Sequence, residues 1–345
     1  MSRRVLVLYT GGTVGMVASG GTYVPGADFG PRLARHLTER RDGLPQFDVI
    51  ELDQLIDSAN LTPANWATMA RMLIDNWDRY DGFVVLHGTD TMAYTAAALS
   101  YMLQGCNKPV ILTGSQIPLQ RSRTDALDNV ITSLALAATP EIQEVCLYFS
   151  GKLLRGTRAR KLKTSDLDAF DSPNAPALGR CGITLDLRHD LLLPSGQPDF
   201  QVPTFNPESV AVLTLYPGIP AALVEAALAL PGLKGLIIHT YGAGNAPDAD
   251  EALVEALARG IKRGIAVLNI SQCIRGRVAQ KAYASGAALE RIGVIAGGDL
   301  TPEAAFAKLH FLLATGHSGA SLSRALQTPL RGDASEPLAC RPTPC

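Results

Sequence analysis

Two threonines of this chain stand beside glycines directly after an apolar segment, a pattern that exposes a hydroxyl group at the end of a strand. The first is Thr13, which follows the apolar residues 5–9 and the pair Gly11-Gly12. Such a run predicts a buried strand of a parallel sheet, and the glycines permit a tight turn at its carboxyl end, where open α/β sheets bind ligands. Taken alone, the pattern is more often a turn or capping residue than a nucleophile.

The second threonine is Thr89, which follows the apolar residues 83–86 and Gly88 and directly precedes Asp90. If the two strands are near neighbours in one sheet, two hydroxyls and a carboxylate meet in the same crevice. A threonine hydroxyl is a poor nucleophile until another group removes its proton. The two motifs therefore predict nucleophilic chemistry if a suitable base or acid lies close to them.

Two side chains are candidates for that helper. Tyr23 lies in the glycine-rich segment 18–23, which we expect to be a mobile loop that closes over a substrate, although by itself it fits a surface aromatic. Lys161 lies in the basic segment 155–163, most of which we expect to be solvated surface. Crowding of cations favours the neutral form of one lysine, which then accepts a proton.

A third polar pair, Asp57-Ser58, comes directly before a predicted helix that begins with Thr62-Pro63 as N-cap and first helical residue. Small polar groups at this edge of a sheet can hold the carboxylate of a ligand through hydroxyl and backbone N–H donors. Their interpretation as turn and capping residues is equally strong.

The segments that must position these groups alternate between strands and helices, which predicts a mostly parallel sheet covered by helices on both faces. After the first strand, the predicted strands of the first domain are 47–52, 82–86, 109–112 and 145–149. Its predicted helices are 62–77, 90–103 and 125–138.

A second, smaller α/β domain follows a segment in which the periodicity fails and prolines accumulate. We therefore predict a catalytic domain over 1–190, a linker over 191–208, a second domain over 209–330 and a disordered tail over 331–345. The predicted strands of the second domain are 210–215, 235–239, 266–270 and 293–295. Its predicted helices are 221–230, 249–263 and 302–314.

Composition narrows the function classes. The 345 residues are 47% hydrophobic, which suffices for two cores, and 31 Lys and Arg against 32 Asp and Glu give no charge that would attract nucleic acid. No apolar run approaches the about 20 residues of a membrane span, and the N-terminal run is too short for a secretory signal. We expect no nucleic-acid or membrane partner.

The six cysteines are scattered and form neither a C-x-x-C pair nor a zinc-ligand pattern, so we predict no metal site and a cytoplasmic location. Cys340 and Cys345 lie in the proline-rich tail and are expected to be free thiols.

The chain resembles the asparaginase family of bacterial type, cytoplasmic class. The resemblance rests on TGGTVG at 10–15 and HGTDT at 87–91, supported by LTGS at 112–115 and YGAGNAP at 241–247, and it covers essentially the whole chain. It implies a two-domain asparaginase-like α/β fold, with a larger N-terminal and a smaller C-terminal domain. It also implies hydrolysis of the side-chain amide of L-asparagine to L-aspartate and ammonia without metal or cofactor, in a homodimer or homotetramer.

Carried onto this sequence, the resemblance makes Thr13 the primary nucleophile and Tyr23 its partner on the lid. Thr89, Asp90 and Lys161 form a second catalytic cluster in which Lys161 accepts a proton through Thr89. The residues that it assigns to substrate binding are Gly12, Asp57, Ser58, Gly88 and Ser115. Asp90 would also attract the ammonium group of the substrate.

Some cytoplasmic members bind asparagine at a second, regulatory site, and the resemblance places that site at His239, Asn245 and Cys273. His239 stands where those members have an arginine. Because a mostly neutral imidazole cannot form the two-pronged contact of a guanidinium with a carboxylate, we predict weak or absent activation by asparagine.

Three alternatives were weighed against this interpretation. A dinucleotide-dependent oxidoreductase is disfavoured because Thr10 occupies the position of the first glycine in the G-x-G-x-x-G pattern. A non-catalytic amino-acid-binding protein on the same fold stays open. So does a preference for glutamine, since one methylene is worth only about 1 to 3 kcal/mol of discrimination.

Overall fold

The computed structural model describes residues 3–38, 43–280 and 284–335. The chain divides into two compact units between Pro207 and Glu208. The predicted linker 191–208 falls almost entirely in the first unit. Most of the tail predicted to be disordered, from residue 336 onward, lies outside the described residues, as do Cys340 and Cys345.

The strands of the first unit, in chain order, are β1 Arg4–Gly11, β2 Met16–Ser19, β3 Thr22–Pro25, β4 Gln46–Ile56, β5 Gly82–Leu86, β6 Leu103–Gln104, β7 Val110–Thr113, β8 Val145–Phe149, β9 Lys152–Arg155, β10 Arg160–Lys161, β11 Phe170–Asp171, β12 Gly179–Cys181, β13 Leu185–Leu187 and β14 Asp199–Phe200. Its helices are α1 Phe29–His36, α2 Pro63–Asp75, α3 Met92–Met102 and α4 Ala126–Ala137.

Eight of these strands form one sheet in the order β13, β12, β9, β8, β7, β5, β1 and β4. The part from β8 to β4 is parallel, whereas β9, β12 and β13 join antiparallel at the other end. The mostly parallel sheet expected from the sequence is therefore confirmed.

β1 is buried on both faces of this sheet, which explains why it is a continuous apolar run. Val5, Val7 and Tyr9 pack into one core together with residues of α1 and α4. Leu6 and Leu8 point to the opposite face, because successive side chains of a strand alternate, and they are equally inaccessible to solvent. Burial on both faces holds the carboxyl end of β1 rigidly in the centre of the unit.

Two small hairpins lie beside this sheet. β2 and β3 pair only with each other among the described strands, and the turn between them is Gly20-Gly21, both with positive φ. The glycine-rich segment expected to be a loop is therefore a hairpin, because two successive left-handed residues match the twist of paired strands. β10 and β11 form the second hairpin, with Lys161 opposite Phe170.

The second unit is built on a parallel sheet in the order β15 Val210–Thr214, β16 Gly235–Thr240, β17 Ala266–Ser271 and β18 Ile295–Ala296. Its helices are α5 Ala221–Leu228, α6 Glu251–Lys262, α7 Ala284–Arg291, α8 Pro302–Ala314 and α9 Gly319–Gln327. Leu236 and Ile238 of β16 pack with Leu253 and Leu257 of α6 in its core.

The predicted strands 82–86 and 145–149 and the predicted helix 302–314 have the bounds that the structure gives them. Sequence periodicity missed α1, α7 and α9 and the antiparallel strands β9, β12 and β13. These strands are only three or four residues long, too few to establish an alternation.

Candidate active site

The carboxyl ends of three neighbouring strands meet at one edge of the large sheet. β1 lies between β4 and β5 and pairs in parallel with both. The residues that follow these strands are therefore brought to the same edge, as the sequence predicted. They are Gly12-Thr13 after β1, Asp57-Ser58 after β4 and the segment 87–90 after β5.

The backbones approach too closely at this edge for any side chain larger than hydrogen. Gly12 has φ of +81°, and a Cβ atom there would lie 2.3 Å from the backbone nitrogen of Gly88. A Cβ on Gly88 would in turn lie 2.3 Å from Oγ of Ser58. These two glycines let the three strand ends converge on one point.

Thr13 begins a short 3₁₀ helix, Thr13–Gly15, that turns the chain away from the sheet. The carbonyl of Val14 accepts a hydrogen bond from the backbone of Leu119 at 3.2 Å, which anchors this turn. Thr13 is half-buried, and no residue in the described part of the chain hydrogen-bonds to its side chain. Its hydroxyl is thus held at a fixed place without a competing partner.

Thr89, Asp90 and Lys161 form a hydrogen-bonded cluster. Lys161 Nζ donates to Thr89 Oγ1 at 2.8 Å and to Asp90 Oδ1 at 2.7 Å, the second contact being an ion pair. Thr89 is buried and the Lys161 side chain is 18% exposed, whereas the Asp90 side chain is 62% exposed. The sequence placed these three residues together, and the structure brings them into contact, with a carboxylate rather than further cations against the Lys161 ammonium.

Gln116 is a member of this cluster that sequence reasoning missed. Its Oε1 accepts the Thr89 hydroxyl proton at 3.2 Å, and its Nε2 donates to the carbonyls of Thr164 and Asp166 at 3.1 Å each. The amide therefore links Thr89 to the loop that follows Lys161. The signal was available, because Gln116 comes just after β7, which neighbours β5 in the sheet.

His87 is buried beneath the site. Its Nδ1 lies 2.7 Å from the carbonyl of Gly88 and its Nε2 lies 2.9 Å from Thr95 Oγ1. Since a carbonyl only accepts, Nδ1 carries the proton and Nε2 accepts from the Thr95 hydroxyl. Burial lowers the pKa of His87 to about 4, so the ring is neutral and its orientation is fixed.

The remaining predicted site residues differ in their burial and in whether they line the cavity. Ser58 is buried and Asp57 is exposed, its carboxylate accepting from the backbone of Ala59 at 3.2 Å. Ser115 is fully buried and does not line the cavity described next. Tyr23 lies on the β2–β3 hairpin with 45% of its surface exposed, and it too does not line the cavity.

A cavity of about 340 Å³ opens between these groups. It is lined by Gly12, Thr13, Met16, Asp57, Ser58, Ala59, Gly88, Thr89, Asp90, Gln116 and Lys161. Met16 is the one large apolar side chain among them. A space of this size and polarity suits a small, charged ligand rather than a hydrocarbon chain.

The residues expected to bind an effector gather at the carboxyl edge of the second sheet. His239 is the penultimate residue of β16 and pairs with Ile270 of β17. The segment that holds Asn245 folds back, so that the Asn245 backbone nitrogen donates to the carbonyl of Tyr241 at 2.8 Å. Cys273 is exposed, and its backbone nitrogen donates to Ser271 Oγ at 3.0 Å.

Within residues 3–38, 43–280 and 284–335, no group of three or more His, Cys, Asp or Glu side chains is arranged to hold a metal ion. Over the same residues, no helix is long and apolar enough to cross a membrane.

Comparison with known proteins covers both units. The family model for the N-terminal domain of asparaginase matches residues 4–192, and the model for the glutaminase/asparaginase C-terminal domain matches residues 209–326. L-asparaginase 1 of Escherichia coli is 42% identical over 332 residues, which are 96% of this chain and 98% of that protein.

The solved structure of L-asparaginase I from Vibrio cholerae superposes with a TM-score of 0.89 at 41% identity, covering 97% of this chain and 100% of that one. The human 60 kDa lysophospholipase is 39% identical over 360 residues, which are 97% of this chain but 62% of that protein.

Proposed function

The chain belongs to the asparaginase family, and we propose that it hydrolyses the side-chain amide of L-asparagine to L-aspartate and ammonia through an ester formed on Thr13. In the first step Thr13 Oγ1 bonds to the amide carbon, the carbon–nitrogen bond breaks, and the hydroxyl proton leaves with the nitrogen as ammonia. In the second step water attacks the ester carbon and a proton returns to Thr13 Oγ1.

The observation that carries this proposal is the contrast between the two threonines. The described residues leave the Thr13 hydroxyl without a hydrogen bond, whereas the Thr89 hydroxyl is engaged by Lys161 and Gln116. A group poised to attack a substrate needs a free lone pair facing the cavity, and a group that relays protons needs partners. The contrast supports Thr13 as the nucleophile and Thr89 as part of a relay.

The backbone near Thr89 supports stabilisation of the oxyanion. Because His87 holds the carbonyl of Gly88, the N–H of Thr89 lies on the opposite side of that trans peptide. Among the described residues this N–H has no acceptor. Loss of one such donor typically costs about 2.7 to 4 kcal/mol of transition-state stabilisation.

The relay requires a change from the arrangement seen here. Lys161 donates to Thr89, and the Thr89 proton is directed to Gln116. For Lys161 to take a proton through Thr89, the amine must first release one of its own, and the Thr89 hydroxyl must turn from Gln116 toward it. Asp90, which holds the Lys161 ammonium, is the adjacent acceptor.

Substrate recognition rests on the polar lining of the cavity. Ser58 and backbone N–H groups at the strand ends suit the α-carboxylate, and the exposed Asp57 and Asp90 suit the α-ammonium group. Glutamine is the second candidate substrate, because the same groups would hold its amino-acid end and the chain is one methylene longer.

A rapid-quench experiment tests the nucleophile. Mixing the protein with asparagine and quenching within the first turnover is expected to give an aspartyl adduct, which peptide mass spectrometry locates on Thr13. The Thr13→Ala variant is expected to give none. An adduct on Thr89 in Thr13→Ala would reverse the assignment of the two threonines.

Ammonia release, coupled to glutamate dehydrogenase, tests the activity and its substrate. We expect release from asparagine well above release from glutamine. Absence of release from both would favour an amino-acid-binding protein, and faster release from glutamine would make the chain a glutaminase. We expect no fatty-acid release from lysophosphatidylcholine, since Met16 is the one large apolar side chain that lines the cavity.

We further propose that asparagine does not activate the protein through the site at His239, Asn245 and Cys273. His239 Nδ1 lies 3.5 Å from Thr214 Oγ1, so the imidazole faces a neutral hydroxyl at the sheet edge and offers no two-pronged cationic contact. Rates are expected to follow a hyperbolic dependence on asparagine. A sigmoidal curve that becomes hyperbolic in His239→Ala would contradict this.

The assembly and the compartment are proposals as well. Family membership supports a homodimer or homotetramer, which light scattering after size exclusion measures directly. None of the four cysteines in the described part of the chain, Cys106, Cys146, Cys181 and Cys273, forms a disulfide bond, which is consistent with a reducing cytoplasm.

A further inference from the structure

The hairpin β2–β3 carries Tyr23 and begins directly after the turn that holds Thr13. Its strands pair only with each other among the described elements, and most of its surface is exposed. At its base the backbone nitrogen of Gly26 donates to the carbonyl of Gly15 at 3.3 Å. One weak backbone bond would be a poor anchor for an arm of this length.

A single guanidinium group supplies the stronger anchor. Arg32, in α1, is only 8% exposed. Its Nη1 donates to the carbonyl of Gly15 at 2.9 Å and its Nη2 donates to the carbonyl of Gly26 at 2.6 Å. The planar group thus holds both ends of the hairpin at once, and within the described residues it forms no ion pair with a carboxylate.

Aromatic packing fixes this guanidinium in turn. Its central carbon lies 5.6 Å from the centre of the Phe29 ring, and Phe29 stacks on Tyr9 at 4.4 Å between ring centroids. The Tyr9 hydroxyl donates to the carbonyl of Gly26 at 3.3 Å. Burial raises the pKa of Tyr9 to about 12, so this hydroxyl remains a donor at neutral pH.

Gly15 shows how tightly the base is built. A Cβ atom there would lie 2.1 Å from the Tyr9 hydroxyl oxygen. The hairpin base is therefore clamped between the Tyr9 ring and Arg32. At its tip, no atom of the described residues lies within 4 Å of the position that a Cβ would take on Gly20 or Gly21. The rigid base and the free tip define where this arm pivots.

We propose that Arg32 is a positioning residue that fixes the pivot of the β2–β3 hairpin and thereby aligns Tyr23 with Thr13. In the structure Tyr23 is exposed and does not line the cavity, and in this proposal a swing of the hairpin brings it to Thr13. Arg32 binds the carbonyl of Gly15, two residues after Thr13, and so ties the pivot to the turn of the nucleophile. This inference rests on the roles proposed above for Tyr23 and Thr13.

The test compares Arg32→Met and Arg32→Lys with the control Arg35→Met, which removes an exposed arginine from the same helix. For Arg32→Met we expect kcat on asparagine to fall about 10- to 100-fold with KM changed much less, since a misplacement of about 1 Å can cost 100-fold. The kcat of Arg32→Lys should lie between those of Arg32→Met and the wild type, because an ammonium group cannot bind both carbonyls as the planar guanidinium does. Arg35→Met should resemble the wild type.

Hydrogen exchange of the backbone amides 16–24, with and without saturating aspartate, supplies a readout independent of activity. In Arg32→Met these amides should exchange faster than in the wild type, and aspartate should protect them less, while the strands of the large sheet are unchanged. A double variant measures the coupling between Arg32 and Tyr23. Tyr23→Phe should lower kcat much less in the Arg32→Met background than in the wild type.

Unchanged kcat in Arg32→Met, or unchanged exchange of the hairpin amides, would overturn the proposal. Full additivity of Arg32→Met with Tyr23→Phe would overturn it too. If Arg32→Met does not fold, the same three measurements on Arg32→Lys decide. Should Tyr23→Phe alone have no effect, the role proposed for Tyr23 fails, while the exchange data still test the anchor.

Discussion

The Nζ atom of Lys161 lies 2.8 Å from Oγ1 of Thr89, although 72 positions separate the two residues in the chain. Thr89 follows a fully buried strand of the large sheet, whereas Lys161 ends a two-residue strand of a small hairpin beside it. Because Asp90 and Gln116 bond to the same pair, the four side chains form one network in which no member acts alone.

The first prediction is that Lys161 and Thr89 act as a unit in catalysis. Lys161→Met and Thr89→Val should each lower kcat about 100- to 10,000-fold, the range typical of a proton-transfer group. The double variant should be little worse than either single one, because each substitution breaks the same relay. Steady-state ammonia release measures this, with circular dichroism as the control for folding.

Multiplicative losses in the double variant would show that the two side chains serve separate steps. Lys163→Met is the matched control, because Lys163 is an exposed lysine two residues away that pairs with Asp166 and Asp168. It should keep nearly the full rate.

The second prediction concerns Gly12. In Gly12→Ala the new Cβ atom would lie 2.3 Å from the backbone nitrogen of Gly88, a contact that only backbone movement relieves. That movement displaces Thr89 relative to Thr13, so kcat should fall at least about 100-fold. The melting temperature should fall as well. Activity and calorimetry on the same sample measure both.

Gly20→Ala is the control that separates the effect of a positive φ from the effect of close backbone approach. Gly20 also has positive φ, at +57°, but no atom in the described part of the chain lies within 4 Å of the position that a Cβ would take. We expect a loss of about 1 kcal/mol or less in stability from the backbone conformation and little change in kcat. Equal losses of kcat in both variants would contradict the role of close approach at Gly12.

Much of the fold could be predicted from the sequence because the strands that build the sheet are long, apolar and buried on both faces. β5 and β8 show this best, since their predicted bounds match the structure. The hairpin that carries Tyr23 was expected to be a loop, because its strands are four residues long and half exposed, with no core to impose an alternating pattern.

The position of a candidate site residue could be predicted where a reactive side chain comes shortly after a buried, apolar strand. Thr13, Thr89 and Asp90 satisfy that condition, and the adjacency of β1 and β5 brings them to one edge. Gln116 was missed because nothing local marks an amide as a hydrogen-bond link; its role arises from the loop of Thr164 and Asp166 folding against it. Arg32 was missed for the same reason, since its partners are backbone carbonyls rather than a carboxylate.

The third prediction concerns a buried ion pair in the second unit. Lys308 and Asp333 are both inaccessible to solvent, 2.8 Å apart, and Lys308 also donates to the carbonyls of Leu326 and Thr328. Lys308→Met removes the ammonium that faces the buried Asp333 carboxylate, so it should lower the free energy of unfolding by about 3 to 5 kcal/mol. Lys308→Met combined with Asp333→Leu should recover part of that loss.

Chemical unfolding followed by circular dichroism measures these changes. The exposed pair Arg188 and Asp190, at 2.7 Å, is the control, and Arg188→Met should leave the free energy of unfolding nearly unchanged. A double variant as unstable as Lys308→Met would show that the backbone contacts of Lys308, and not the ion pair, carry the effect.

The last prediction is a loss of stability in mild acid that is traced to His310. Burial lowers the pKa of His310 from 6.5 to about 4, and burial does the same for His87 in the first unit. At pH values between 6.5 and about 4, the His310 side chain binds a proton in the unfolded chain but not in the folded one. The stability that depends on His310 is therefore full above about pH 6.5 and declines as the pH falls toward 4. At about 1.4 kcal/mol per pKa unit, the contribution of His310 to that decline has an upper limit of about 3 to 4 kcal/mol. His310→Leu should therefore reduce the fall in melting temperature between pH 7 and 4. His189→Gln, which replaces an exposed histidine, is the control and should leave that fall unchanged. If the melting temperature of His310→Leu falls as steeply with pH as that of the wild type, the loss of stability in acid belongs to other groups.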